Sequence, residues 1–346
     1  MTSTLTYFRW PFLFTAIGLV LAYWLGYQTT GTVSGALSFF LVGCILAVLE
    51  ISLSFDNAIV NANILRTMEP KWQHRFLTWG ILIAVFGMRI IFPLAVVVLA
   101  AKIGPVAAVV LAATDPQEYA RIMDDAHIGI SAFGGTFLMM VALTYFLDQS
   151  KEVDWIRVIE CRLRRWASIR GLEIAFVLCA ALLLSITLPD KESATFLFAA
   201  ICGLVTFLAV ELVAHFLDAK KETQAAAAKG GFGAFLYLEV LDASFSFDGV
   251  IGAFALTQNL FLIAIGLGIG AFYVRSMTIM LVERNTLSQF RYLEHGAFYS
   301  VLALSIIMYA QSIWHIPEVI TGLVGATLIG LSLVSSIRHN KLTRGA

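Results

Sequence analysis

The chain has 346 residues, of which 59% are hydrophobic and 13% are charged, and its formal net charge at neutral pH is zero. Soluble domains carry about 25% charged residues, so this composition excludes an ordinary soluble protein and indicates a protein of the lipid bilayer. The balanced charge gives no information about a nucleic-acid partner, and we expect none.

Ten apolar segments are long enough to be membrane-spanning helices, which need about 20 mostly apolar residues. In chain order they cover roughly residues 11–27, 37–64, 76–100, 130–148, 171–188, 195–217, 231–257, 259–282, 296–313 and 317–337. The polar stretches between them are too short to cover ten such helices in one soluble core. The first segment lacks a small-residue cleavage site, so we predict that it is a retained span and not a signal peptide.

The loops between these segments differ in their content of Lys and Arg. If the N-terminus lies inside, only Lys102, Arg121 and Lys191 fall in outer loops, and the other loop Lys and Arg residues fall inside. By the positive-inside rule, this bias predicts ten spans with both termini in the cytoplasm. The most basic inner stretch, 149–170, is predicted to be a solvated loop, with an amphipathic surface helix as the alternative.

Acidic residues occur inside two of the apolar segments, and the two stretches are alike. The first, Glu50 to Asn57, reads EISLSFDN, and the second, Asp242 to Gly249, reads DASFSFDG. Aligned positions include Ser52 with Ser244, Ser54 with Ser246, and Asp56 with Asp248. Arg89 and Arg275 also correspond, because each follows a matching glycine in the next span. The chain therefore contains an internal repeat.

The repeat divides the chain into two halves of five spans, residues 1–190 and 191–346. Because five is odd, the second half would cross the membrane in the opposite sense to the first. The predicted fold is an all-α integral membrane protein of about ten transmembrane helices, arranged as two five-helix inverted repeats. Such repeats are typical of secondary transporters, whose sites lie near the bilayer midplane where the repeats meet.

A carboxylate inside a span is costly, so Glu50, Asp56, Asp242 and Asp248 are predicted to face a cavity or a partner near the midplane. A local helix break near Ser54–Asn57 would let the first two converge. Gly249 would ease an equivalent break in the second half.

The four acids and two arginines would give a shared cavity a net charge of −2, which one divalent cation would neutralise. Carboxylate, hydroxyl and amide oxygens suit Mn²⁺, Mg²⁺ or Ca²⁺ better than Cu⁺ or structural Zn²⁺. The cation would be a substrate, with no tightly bound cofactor, and protons would compete with it for the acids. The alternative is that Arg89 and Arg275 pair with Asp56 and Asp248 only to fix helix packing.

Several other polar residues are weaker candidates. Asn61 lies one turn beyond Asn57, toward the inner face, and Glu239, one turn before Asp242, either lines the inner approach or is structural. Glu211 and His215 are expected at the membrane interface, with metal binding as the alternative. His127 and His295 are also expected there, with a proton relay as the alternative. Because no nucleophile–base pair and no HExxH or P-loop motif occurs, we expect no enzyme.

With these residues in hand, the chain resembles the TerC family of integral membrane proteins. That family has paired motifs of the type E-x-x-x-S-x-D-N and D-x-x-F-x-x-D-S, and the match is to a branch that reads SFDN and SFDG. The resemblance covers roughly residues 37–148 and 231–337. It implies that Glu50, Asp56, Asn57, Asp242 and Asp248 form the acidic centre. It also implies a tellurite-resistance label and, from better-studied relatives, manganese export. Two features depart from the family: Gly249 replaces a small polar residue, and ten spans exceed its usual seven or so.

The sequence therefore predicts a secondary transporter in a bacterial cytoplasmic membrane, with lipid, a divalent metal and protons as its partners. Export of Mn²⁺ is an inference from the resemblance, because the residues do not give a direction. The alternative is a membrane assembly or stress-resistance factor whose buried acids are structural and whose working surface is the 149–170 stretch.

Overall fold

The computed structural model describes residues 4–80, 83, 87, 90–148, 151, 153–166, 169, 171–219, 231–257, 259–284, 289–314, 316 and 318–344. Within these ranges the chain forms helices, turns and loops, and no strand. The fold class is therefore all-α, as the composition predicted.

The helices follow one another closely. The first half contains α1 Thr4–Tyr7, α2 Arg9–Thr30, α3 Val33–Leu53, α4 Phe55–Leu65, α5 Pro70–Arg75, a π-helix at Phe76–Gly80, α6 Phe92–Ala101, α7 Pro105–Thr114, α8 Pro116–Asp125, α9 His127–Phe146, α10 Arg157–Trp166 and α11 Leu172–Ser185. The second half contains α12 Asp190–Ala219, α13 Phe232–Leu256, α14 Leu260–Glu283, α15 Leu293–Gln311 and α16 Glu318–Arg344.

Seven helices in the described part of the chain are long and apolar enough to cross a membrane: α2, α3, α9, α12, α14, α15 and α16. The outward faces of such helices are apolar, as in α2, where Leu13, Val20 and Leu21 are exposed. A helix satisfies its backbone hydrogen bonds internally, so an exposed apolar helix is the form suited to lipid. Seven such helices are compatible with a multi-pass membrane protein. Two other predicted spans contain helices that are not among these seven. The span 171–188 contains the 14-residue α11, and the span 231–257 contains the 25-residue α13, which carries the second acidic stretch.

The two predicted halves pack against each other across a shared core. Helix α9, most of which is buried, packs against α12 and α15, and α3 of the first half packs against α14 of the second. Small residues allow these helices to approach closely: the backbone of Gly203 lies against Phe133, and that of Gly266 lies against Leu46. Close approach at small residues is the usual way in which helices associate in a bilayer.

One end of the helix bundle collects polar contacts between distant parts of the chain. The Tyr7 hydroxyl donates to Glu283, and the Asn63 amide donates to Glu294, at 2.8 and 3.0 Å. Helix α10 lies at this end and presents the buried Glu160 to α15. The prediction of a loop is therefore wrong for residues 157–166, which form a helix that is mostly exposed with Glu160 buried, in line with the alternative of an amphipathic surface helix.

Candidate functional site

The first acidic stretch contains the helix break that the sequence predicted. Helix α3 ends at Leu53 and α4 begins at Phe55, while Ser54 has a non-helical backbone, with φ −100° and ψ 13°. The Ser54 hydroxyl donates to Glu50 Oε1 at 2.8 Å, and only 1% of Glu50 is exposed. The residue at the break thus donates a hydrogen bond to the deeply buried carboxylate one turn before it.

The second acidic stretch has no such break. Helix α13 runs from Phe232 to Leu256 without interruption, so the prediction that Gly249 would ease a break there is wrong. Glycine permits an irregular backbone but does not impose one, and a span keeps its helical hydrogen bonds unless other groups replace them. The two copies of the repeat therefore differ in local backbone structure.

Asp56 is bound by a residue that the sequence reasoning missed. Its Oδ2 accepts a hydrogen bond from the Ser300 hydroxyl of α15 at 2.8 Å, and its Oδ1 accepts one from the Asn57 backbone at 2.8 Å. An enclosed cavity of ≈ 10 Å³ beside Asp56 is also lined by Ser300 and Thr321. Ser300 is one of two serines in the largely apolar α15, and no sequence signal distinguished it from an ordinary packing residue.

Asp242 receives the side chains of the first acidic stretch. The Asn57 amide donates to Asp242 Oδ1 at 2.6 Å, and the Asn61 amide approaches the same oxygen at 3.4 Å. Both asparagines are buried, with 4% and 3% of their surfaces exposed, and the Oδ1 atom of each lacks a hydrogen-bond partner. The structure therefore brings together a carboxylate of one half and two amides of the other, 185 and 181 residues apart.

Glu239 and Arg275 lie near the π-helix. A Cβ atom added at Gly80 would lie 2.9 Å from Glu239 Oε1, which is buried and has no hydrogen-bond partner. The Arg275 guanidinium donates through Nε to the Leu77 carbonyl oxygen at 2.7 Å and through Nη2 to the same oxygen. The guanidinium therefore binds a backbone carbonyl of the first half, while its expected partner Asp248 lies outside the described side chains.

Several predicted residues lie outside the description of the structure. These are Arg89 and the side chains of Ser52, Ser244, Ser246, Asp248 and His215. Among the described residues, no group of three or more His, Cys, Asp or Glu side chains is placed to hold a metal ion. Glu50, Asp56 and Asp242 instead make distinct contacts with hydroxyl and amide groups.

The weaker candidates take different positions. His295, expected at the interface, is buried, and its Nδ1 lies 3.0 Å from Glu160 Oε2. The half-buried His127 lies 3.3 Å from the Ser131 hydroxyl. Glu211 is exposed and lines a cavity of ≈ 510 Å³.

These features define the class of the protein: an all-α protein with seven helices long and apolar enough to span a membrane, and with carboxylates buried between its helices. The chain belongs to the family described as "Protein of unknown function (DUF475)", whose model matches residues 55–343. That match includes α4 and the second acidic stretch. No curated protein and no solved structure matches the chain.

Proposed function

We propose that the protein is a secondary transporter that carries a divalent metal cation across the membrane through a site built from its buried acids. The proposed site contains Glu50, Asp56, Asp242 and Asp248, with Asn57 as a neutral ligand. The observation that carries the proposal is the convergence of Asn57 and Asn61 on Asp242, which places polar groups of both halves together in the packed core.

The burial of the acids supports this proposal. Glu50 and Asp56 are 1% and 5% exposed, and an ionised carboxylate inside a membrane protein is rare unless it faces a partner or an ion pathway. The neighbouring donors, Ser54 and Ser300, are short hydroxyl groups that can also ligate a cation through oxygen. A site of carboxylate, hydroxyl and amide oxygens favours a hard divalent ion.

The proposed architecture is ten spans in two inverted repeats, with both termini in the cytoplasm. In this arrangement the bundle end that contains the contacts Tyr7–Glu283 and Asn63–Glu294 faces the cytoplasm. The choice of Mn²⁺, export as the direction, and protons as the counter-ion rest on the resemblance to the TerC family. The net-acidic site agrees with a cation and not with a tellurium oxyanion, which it would repel.

The test is metal flux in proteoliposomes that contain a Mn²⁺-quenched dye, with and without a pH gradient. We expect flux for the wild type and a loss of at least about tenfold in Asp56→Asn and in Asp242→Asn, because each change removes one charge from the site. Glu118→Gln is the matched control, because Glu118 is an exposed acid on α8 paired with Arg121.

A wild type that moves none of Mn²⁺, Mg²⁺, Ca²⁺ and Zn²⁺ would contradict the proposal and favour the assembly-factor alternative. In that case, removing residues 149–170 should abolish function in cells, while the two acid-to-amide changes should leave it intact.

A further inference from the structure

The amide oxygens of Asn57 and Asn61 present an unusual situation for buried polar atoms. Both amides direct their nitrogen atoms to Asp242, while both oxygens are buried without a hydrogen-bond partner. Buried polar atoms are nearly always satisfied, so two orphaned acceptors on one helix, four residues apart, call for an explanation. An acceptor without a donor is a group that can bind a cation.

Rotation of a side-chain amide exchanges its two ends. A turn of about 180° about the Cβ–Cγ bond places Oδ1 where Nδ2 lies now, at almost the same positions in the core. The two asparagine oxygens would then lie near 2.6 and 3.4 Å from Asp242 Oδ1. Neighbouring oxygen ligands of one octahedral cation are about 3.0 Å apart for Mg²⁺ and about 3.4 Å apart for Ca²⁺, given their usual metal–oxygen distances. The observed spacing is therefore close to that of a ligand set.

A further acceptor lies on the helix of Asp242. Glu239 is one helical turn before Asp242 on α13, and its buried Oε1 lacks a hydrogen-bond partner. The backbone of Gly80 lies beside this oxygen, where any side chain would occupy its space. Gly80 also lies in a π-helix, a local irregularity that occurs often at functional sites.

The position of these groups along the bundle is set by their neighbours. Asn63, two residues beyond Asn61, contacts Glu294 at the end of the bundle that is proposed to face the cytoplasm. On the other side, Asp56 contacts Ser300. The amide pair therefore lies between the acid–hydroxyl contact of Asp56 and the cytoplasmic end.

We propose that Asn57, Asn61, Glu239 and Asp242 form a loading site for a divalent cation, in which the two amides rotate between two states. Without the cation, the amide nitrogens donate to Asp242 and satisfy its charge. With the cation, the amide oxygens become ligands, and the ion takes over the neutralisation of Asp242. This inference rests on the proposed transport function, and it adds Asn61 and Glu239 as ligands on the cytoplasmic side of Asp56.

The test is Mn²⁺ binding to the purified full chain in detergent, measured by electron paramagnetic resonance of the free ion. We expect Asn61→Leu and Glu239→Gln each to weaken binding by about 10–100-fold, the usual effect of removing a group that supports a metal site. The matched control is Asn63→Leu, an identical change two residues away, which should leave the affinity within about twofold because Asn63 contacts Glu294 instead.

Two further measurements separate ligation from a structural role. Gly80→Ala removes no polar group but puts a methyl group 2.9 Å from Glu239 Oε1, so it should also weaken binding. Infrared difference spectra on adding Mn²⁺ should show a shift of side-chain amide C=O bands, and Asn61→Leu should reduce it. Each variant is compared only where it elutes as a single species with the thermal midpoint of the wild type.

The outcomes distinguish this inference from the proposed function. Unchanged Mn²⁺ affinity in Asn61→Leu and Glu239→Gln, beside a wild type that binds and transports the ion, would overturn the loading site alone. An amide band that does not move on adding Mn²⁺ would overturn the rotation. A wild type that binds none of Mn²⁺, Mg²⁺ and Ca²⁺ would overturn the loading site and the proposed function together.

Discussion

The buried carboxylate of Glu160 joins the short helix α10 to the helical core. Only 1% of its side chain is exposed. Its oxygens accept hydrogen bonds from Lys151 Nζ and from the Trp155 and Ile156 backbone N–H groups, each at 3.1 Å. The Tyr299 hydroxyl of α15 donates to it at 3.3 Å. Such a carboxylate is stable only while these partners remain, because a buried charge without them is costly.

These contacts predict how Glu160 makes stability depend on pH. Burial alone would raise the pKa of Glu160, but the neighbouring His295, the Ile156 N–H and Lys151 outweigh it and hold the pKa at about 2. The folded value lies below the usual value, so this contribution is complete above about pH 4.5 and is lost as the pH falls toward 2. The shift corresponds to about 3 kcal/mol at neutral pH.

We therefore expect Glu160→Gln to lower the free energy of unfolding in detergent at pH 7 by about 2–3 kcal/mol and the thermal midpoint by roughly 5 °C. The difference from the wild type should shrink as the pH is lowered from 5 to 3. Glu118 is an exposed acid paired with Arg121 at 2.7 Å, so Glu118→Gln should leave the thermal midpoint unchanged at pH 7 and between pH 5 and 3. An equal loss of stability in the two variants would contradict the role given to Glu160.

At the scale of helices, the contact between α3 and α14 controls the position of Glu50. A Cβ atom at Gly270 of α14 would lie 2.5 Å from both Cβ and Cγ of Glu50, and 3.1 Å from the Ala47 carbonyl oxygen. Real Cβ atoms do not approach other atoms so closely, so the two helices can keep this distance only with glycine at 270. The same helix contact buries Glu50, whose carboxylate accepts a hydrogen bond from the Ser54 hydroxyl.

Gly270→Ala should therefore force α3 and α14 apart, at a cost of about 1–3 kcal/mol, the usual cost of overpacking. It should also reduce metal flux, because Glu50 would move with α3. Gly330→Ala is the matched control, since Gly330 of α16 faces open space and tolerates a methyl group. Thermal unfolding in detergent measures the first effect and proteoliposome flux the second. Equal midpoints for the two variants would show that the α3–α14 contact adapts without cost.

For the molecule as a whole, the sequence predicted correctly those features that depend on the pattern of residues within one segment. Apolar composition and segment length predicted an all-α protein with span-length helices, and the sequence also predicted the break near Ser54 in the first acidic stretch. The hydrogen bond between Asn57 and Asp242 could not be predicted in this way, because the two residues are 185 positions apart and no local spacing relates them. The repeat indicated that the two stretches are equivalent, but it did not indicate which side chains touch.

The incorrect predictions have a related cause. Gly249 and the 149–170 stretch were interpreted from residue preferences, yet α13 is continuous and residues 157–166 form a helix. In each case, tertiary contacts or helical hydrogen bonding decided the local structure, and these are not visible in composition.

The inverted repeat itself makes a prediction about the whole chain. Arg9 and Lys191 occupy equivalent places, because each is exposed near the start of the first span-length helix of its half. If five spans separate them, they lie on opposite sides of the membrane, whereas a parallel repeat would place them on the same side.

Cysteine labelling tests this prediction. In a variant with Cys44, Cys161, Cys179 and Cys202 replaced by Ala, single Arg9→Cys and Lys191→Cys changes can be labelled with an impermeant maleimide. We expect Lys191→Cys to react in intact cells, and Arg9→Cys and the control Arg338→Cys to react only in inside-out vesicles. Reaction of Arg9→Cys and Lys191→Cys from the same side would exclude the inverted arrangement and, with it, a site formed between two inverted halves.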